Sequence, residues 1–189
     1  MKQHILAVDD EIHMLELLER IITEKTPYQI TTTNNSLEVP NLLDKTQFDL
    51  IIADLKMPGM DGIDILSMVK ERQREEEVII ITAFGSLESA IKALSLGVFD
   101  YITKPFKKEQ IIYTVDRAMR WQKMKREIAY MSDIFEREPY EEAVKAFKFE
   151  YLRRLAERTG KDKEMMVKRS GLPMELIVSV MNKEELERK

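Results

Sequence analysis

Short apolar runs alternate, along the first 120 residues, with stretches whose apolar positions recur every three or four residues. The runs have the length of buried strands, and the stretches have the period of amphipathic helices. Strands are predicted at His4–Val8, Tyr28–Thr33, Leu50 to Asp54, Val78–Thr82 and Val98 to about Thr103. Between them lie predicted helices. The first covers Glu11 to Thr23, with Ile12, Leu15, Leu18 and Ile22 on one face and Pro27 ending the unit. A short one runs to Leu43 with Ser36 as its expected N-cap. A third covers Gly62 to about Arg72, and a fourth Ser86 to Leu96, closed by Gly97. Five strands separated by helices predict a doubly wound α/β domain.

A fifth helix starts near Lys107 and meets no glycine or proline until Pro139. Trp121, Met124, Ile128, Met131 and Phe135 recur in it at heptad spacing. At 1.5 Å per residue it would run roughly 40 Å. It is either a surface helix folding back on its own domain or a paired helix joining two protomers, and the length of the stripe favours pairing. A second amphipathic helix, Tyr140 to Arg158, carries Val144, Phe147, Tyr151 and Leu155 on one face. Thr159-Gly160 breaks it, Lys163 to Ser170 is a short helix, and Gly171 leads to a last helix over Pro173–Asn182. This is the outline of a helix-turn-helix. The domains expected are residues 1–120, a helical linker over 121–138 that is a candidate coiled coil, and a small all-α unit over 139–189.

Composition narrows the classes. Apolar residues make up 44% of the 189, enough for an ordinary soluble core. The net charge of −4 does not by itself point to nucleic acid. The absence of cysteine rules out disulfides and thiolate metal sites. With no secretory signal and no apolar stretch of membrane-spanning length, the cytoplasm is the expected compartment and no membrane partner is expected.

The candidate chemistry sits where the predicted strands end. Asp9-Asp10 follows the first, Asp54 closes the third, Thr82 closes the fourth and Lys104 follows the fifth. Ligands of an open parallel sheet bind outside the carboxyl ends of its strands. If these strands are neighbours, three carboxylates, a hydroxyl and an ammonium surround one pocket. Acidic oxygens bind a hard divalent cation such as Mg²⁺. The metal, hydroxyl and lysine could then neutralise a phosphoryl group on the remaining carboxylate. Singly, Thr82 reads as a strand residue, Lys104 as a solvated lysine and Asp54 as a turn residue; together they read as a phosphoacceptor site. Asp61 and Asp64 read as loop and helix-start residues, and His4 and His13 as structural or solvated.

Asp9-Asp10, Asp54-Leu-Lys-Met-Pro-Gly-Met-Asp-Gly62, Thr82-Ala83 and Lys104-Pro105 resemble, in this order, the receiver domain of bacterial two-component response regulators. Ile81-Thr-Ala-Phe-Gly-Ser-Leu-Glu-Ser-Ala90 and Gly97-Val-Phe-Asp-Tyr-Ile-Thr-Lys-Pro-Phe106 are most similar to the NtrC-like branch. The resemblance implies a flavodoxin-like sheet of order 2-1-3-4-5. It implies Asp54 as the phosphorylated nucleophile, and Mg²⁺ held by Asp10, Asp54 and the Lys56 backbone carbonyl, with Asp9 acting through water. Thr82 would hydrogen-bond one phosphoryl oxygen and Lys104 pair with another, the Lys104-Pro105 bond would be cis, and Tyr101 would act with Thr82 as the switch. The partner implied is a sensor histidine kinase or a phosphotransfer protein. The chain would be an enzyme only in catalysing its own phosphorylation and slow dephosphorylation.

Phe149-Glu-Tyr-Leu-Arg-Arg-Leu-Ala-Glu-Arg-Thr-Gly160 resembles the Fis-type DNA-binding domain of NtrC-like regulators. No G-x-x-x-x-G-K-[ST] loop occurs, so the ATPase domain of those regulators is not expected in this sequence. Arg153, Arg154, Lys168 and Arg169 are the candidate DNA contacts. The segment Pro173–Asn182 has no arginine or lysine, and Met165-Met166-Val167 stands where the family has small alanines. Two functions follow. One is a homodimeric, phosphorylation-controlled DNA-binding regulator of transcription. The other is a signalling regulator whose tail dimerises or docks a protein, with Met174, Leu176, Ile177, Val180 and Met181 as an apolar face.

Overall fold

In the structure, a computed structural model, residues 3–83, 85–136, 140–175, 177 and 178 are described. They divide into two compact units, residues 1–126 and 127–189, with the boundary inside one helix.

The first unit is built on β1 (His4–Val8), β2 (Gln29–Thr33), β3 (Leu50–Asp54), β4 (Glu77–Thr82) and β5 (Asp100–Thr103). All pair in parallel, in the order β2-β1-β3-β4-β5. Every residue of β3 and β4 is buried, which is why both read as unbroken apolar runs rather than as alternations. Side-chain alternation divides the core in two. Leu6, Val8, Ile51, Ala53 and Ile80 face one side, where they meet α2 (Val39–Lys45), α3 (Gly62–Glu71) and α4 (Leu87–Ser95) through Leu43, Leu66, Val69 and Ala93. Ile5, Ala7, Ile52, Ile79 and Ile81 face the other, against Leu18 and Ile22 of α1 (Ile12–Lys25) and Ile111 and Val115 of α5 (Lys108–Glu136). Fully burying one such Ile or Leu side chain is worth about 1.5–3 kcal/mol.

Some element bounds differ from the sequence expectation; β5 begins at Asp100 rather than Val98. Tyr28 lies outside β2, and its hydroxyl donates to Asp116 Oδ1 at 2.9 Å. Ser36 opens a 3₁₀ turn, Ser36–Glu38, capped by the side chain of Asn35, before α2 begins. Ser36 is therefore not the cap. A short asparagine or serine side chain can fill either role, and here its neighbour does.

Helix α5 is 29 residues long, and its middle turns a polar stripe to the N-terminal edge of the sheet. Gln122 Nε2 donates to Glu75 O at 2.6 Å, Lys125 Nζ to Glu77 Oε1 at 2.9 Å, and Arg126 Nη1 to Asp49 Oδ1. In the same stretch Trp121 and Met124 of the heptad stripe are each 45% exposed.

The second unit contains α6 (Tyr140–Arg158) and α7 (Lys163–Ser170), with Asp162 capping α7 and Gly171 ending it in the left-handed conformation. Leu152 and Ala156 of α6, Met166 of α7 and Ile177 form its small core. Of the helix expected over 173–182, residues 174, 175, 177 and 178 are helical; Leu176, Val180 and Met181 lie outside the described residues. Among the described residues no helix is long and apolar enough to cross a membrane.

Candidate functional site

The sheet order brings the ends of β1, β3 and β4 side by side. Val8 pairs with Ala53 and Asp54 with Ile81, so Asp9 and Asp54 emerge from adjacent central strands. Both are nearly buried, at 2% and 7% exposure. Lys104, just past β5, reaches between them. Its Nζ donates to Asp9 Oδ2 at 2.8 Å and to Asp54 Oδ1 at 2.7 Å. One ammonium thus holds together two carboxylates that would otherwise repel each other in a dry pocket.

The second oxygens are held by backbone. Glu11 N–H donates to Asp9 Oδ1 at 2.9 Å, and Lys56 N–H to Asp54 Oδ2 at 2.6 Å. Burial pushes the Asp9 carboxyl above its ordinary range, against the pull of Lys104. Burial draws the Lys104 ammonium down, but its hydrogen bonds to Asp54 and Asp9 outweigh this and hold it above its usual value.

The loop after Asp54 is tightly folded. A Cβ on Gly62 would lie 2.5 Å from the Asp54 carbonyl oxygen, so only glycine lets α3 start so close beneath the strand. Asp61 and Asp64 exchange hydrogen bonds in a capping box at that start.

Thr82 is fully buried at the end of β4, and its carbonyl accepts from Lys104 N–H at 2.7 Å. The Lys104-Pro105 peptide is cis. Tyr101 lies half-buried on β5 with its hydroxyl 3.0 Å from Ser89 Oγ of α4. Asp10 and the Lys56 side chain are exposed beside the pocket.

Among the described residues no group of three or more acidic, histidine or cysteine side chains is gathered closely enough to hold a metal. Asp9 and Asp54 nonetheless converge on one positive charge with oxygen donors alone. That donor set fits a hard divalent cation such as Mg²⁺.

In the second unit Arg153 and Arg154 are engaged on their own helix. Glu150, 5% exposed, accepts from Arg153 Nη2 at 2.7 Å and Nε at 2.8 Å, and from Arg154 Nε at 2.5 Å. Arg153 also donates to Glu157 at 2.6 Å. The hydrogen bonds from Arg153 hold the Glu150 carboxyl below its usual range despite its burial. Lys168 and Arg169 are exposed at the end of α7.

Two sets of residues escaped the sequence reading. Ser36 bonds to the loop that follows Asp54, and its sequence signal was consistent with a cap. Gln122, Lys125 and Arg126 lie between the positions of the heptad stripe, and their spacing of three and four puts them on one helix face.

A family model, the response regulator receiver domain, matches residues 5–116. The regulatory protein AtoC of Escherichia coli K12 is 33% identical over 127 residues, which are 67% of this chain and 27% of that protein. The DNA-binding transcriptional regulator NtrC of Klebsiella pneumoniae is 38% identical over 112 residues, 59% of this chain and 24% of that protein. The chain thus spans about a quarter of the length of these relatives. Among solved structures, NtrX from Brucella abortus superposes with a TM-score of 0.62 at 29% identity, covering 68% of this chain and 29% of that one. A response regulator receiver domain protein from Clostridium thermocellum gives 0.60 at 29% identity, covering 65% of this chain and 98% of that one.

Proposed function

The chain belongs to the response regulator receiver family, related to NtrC-like transcriptional regulators, and on that premise we propose that Asp54 accepts a phosphoryl group and so governs the helical unit that follows. The observation that carries this reading is the bridge from Lys104 Nζ to both Asp9 and Asp54. It leaves a nearly buried carboxylate beside a fixed positive charge, the pairing a phosphoryl group needs.

In the proposed reaction an Asp54 oxygen attacks the phosphorus of a phosphohistidine on a sensor kinase or phosphotransfer protein. A P–O bond forms and the P–N bond breaks. The imidazole nitrogen leaves with the electron pair and takes up a proton from solvent. Lys104 pairs with one phosphoryl oxygen and the Thr82 hydroxyl donates to another. Asp10, Asp54 and the Lys56 carbonyl would hold Mg²⁺, with Asp9 acting through water, and the ion would supply further positive charge against the phosphoryl oxygens when bound. Water later hydrolyses the acyl phosphate. The chain is in this reading a signalling protein, catalytic only toward itself.

Phosphorylation then shifts a two-state population, with Thr82 and Tyr101 as the moving pair. The readout is pairing of two receivers through α4, β5 and α5, with Trp121, Met124 and Ile128 exposed on α5. The Fis-like helical unit would bind DNA as a dimer, with Lys168 and Arg169 as its phosphate contacts.

A second output has an observation of its own. Arg153 and Arg154 are paired with Glu150, Glu157 and Glu127, which offsets the positive charge that α6 could offer to phosphates. This favours a tail that docks a protein. Binding of the full chain to fragmented genomic DNA, with and without beryllofluoride and Mg²⁺ over a salt series, separates the two. Salt-sensitive binding raised by beryllofluoride and confined to a few fragments makes the chain a DNA-binding regulator. No binding in either state removes that output and leaves the docking tail.

A further inference from the structure

The loop that carries Lys56 is braced from outside by one hydroxyl. Ser36 is 2% exposed and belongs to the turn after β2, more than twenty residues before the loop it touches. Its Oγ donates to Pro58 O at 2.6 Å and accepts from Met60 N–H at 2.9 Å. These two backbone groups flank Gly59, whose φ of +88° reverses the chain. A Cβ on Gly59 would lie 3.1 Å from the same Ser36 oxygen and 2.9 Å from Leu37 Cγ, so the turn sits flush against the serine. A hydroxyl can donate once and accept twice, and here it does both across the tightest point of the loop.

Both ends of this link run to the candidate site. On one side, Thr33 lies three residues before Ser36, and its carbonyl accepts from Asp9 N–H at 3.3 Å. The Ser36 turn itself is fixed: Asn35 N–H donates to Thr33 Oγ1 at 3.2 Å, and Leu37 N–H to Asn35 Oδ1 at 3.2 Å. On the other side, Lys56 N–H donates to Asp54 Oδ2 at 2.6 Å, two residues before Pro58. Beyond Met60 the loop is tied down again, by Gly62 N–H donating to Leu55 O at 3.2 Å. Ser36 secures the span between these two anchors.

We propose that Ser36 is a positioning residue for Asp54: it sets the path of residues 56–60 and thereby the direction of the Lys56 amide and carbonyl toward the reacting carboxylate. It touches no reacting atom. This rests on the reading of Asp54 as the phosphoacceptor. A displacement of about 1 Å in such a frame is enough to slow a reaction substantially.

The test uses the full chain and two variants. Ser36→Ala removes both hydrogen bonds, and Ser36→Thr keeps a hydroxyl. The first readout is the rate of labelling by acetyl phosphate across a Mg²⁺ series. The second is amide exchange of Met60 in the unlabelled protein, which needs neither phosphate nor metal. We expect Ser36→Ala to label roughly tenfold more slowly at limiting Mg²⁺, with a higher half-saturating Mg²⁺ concentration. Met60 exchange should accelerate about tenfold while cooperative unfolding is retained. Ser36→Thr should restore both. Wild-type rates and Mg²⁺ requirement in Ser36→Ala overturn the proposal. If the wild type itself takes no label, the Asp54 reading fails first. Unchanged Met60 exchange in Ser36→Ala then overturns the brace on its own.

Discussion

Lys125 Nζ lies 2.9 Å from Glu77 Oε1, at the end of the sheet opposite Asp54. Glu77 begins β4 and is 5% exposed, and Asp49, just before β3, is 4% exposed. Asp49 Oδ2 accepts from His4 N–H at 2.7 Å, and its other oxygen meets Arg126. The cations facing these two carboxylates thus come from α5 beyond its apolar contact with the sheet. A carboxylate left buried without its partner is costly. A chain ending at Arg126 should unfold cooperatively in urea. A chain ending at Arg120 should be less stable by roughly 2–4 kcal/mol, a range set by the partial exposure of both cations. Equal midpoints and slopes for the two would show that the polar stripe of α5 does not hold the sheet edge.

Lys104→Met should expose the repulsion that Lys104 masks. Without the ammonium, Asp9 and Asp54 face each other with no charge between them, and the Asp9 carboxyl, already pushed up by burial, should bind a proton more readily in the folded state than in the unfolded chain. The sign follows from linkage: a folded-state pKa raised above the unfolded value gives stability at low pH that is lost as pH rises through it. In EDTA the variant should be about 2–4 kcal/mol less stable than wild type at pH 7, with the gap narrowing toward pH 4. A gap independent of pH would mean that Lys104 contributes packing rather than charge.

Tyr28 offers a second titration. Burial, and then the hydrogen bond to Asp116, push its phenol up to about 12. Folding is therefore favoured by this group below its ordinary value of 10, and the contribution is lost as pH rises toward 12. Spectrophotometric titration of the six tyrosines should show one late-ionising phenol, and Tyr28→Phe should remove that phase. Its persistence in the variant would place it on another tyrosine.

Much of the fold was legible because its signals are collective. The Leu50–Asp54 run is buried on both faces, and such a run ending in a carboxylate has few other uses. The strand ends that converge at Lys104 could be placed from order alone once the sheet was parallel. What could not be read depends on single polar side chains choosing among partners. Asn35 rather than Ser36 caps the turn, which frees Ser36 to bond the Pro58–Met60 loop. Tyr28 reads as a strand residue but leaves β2 for Asp116. Lys125 and Arg126 share a helix with a heptad stripe, and nothing in that stripe announces that the intervening positions face buried carboxylates. Arg153 and Arg154 read as a basic surface because Glu150, three and four residues earlier, is indistinguishable in sequence from a solvated glutamate.

The most direct measurement is labelling of the full chain by acetyl phosphate with Mg²⁺, comparing wild type with Asp54→Ala by intact mass and by hydroxylamine lability. The assignment of Asp54 as phosphoacceptor predicts one hydroxylamine-labile phosphoryl group on the wild type and none on Asp54→Ala, with both proteins folded. Labelling of Asp54→Ala at the wild-type level would contradict it, because the phosphoryl group would then rest on a residue outside the Lys104 bridge.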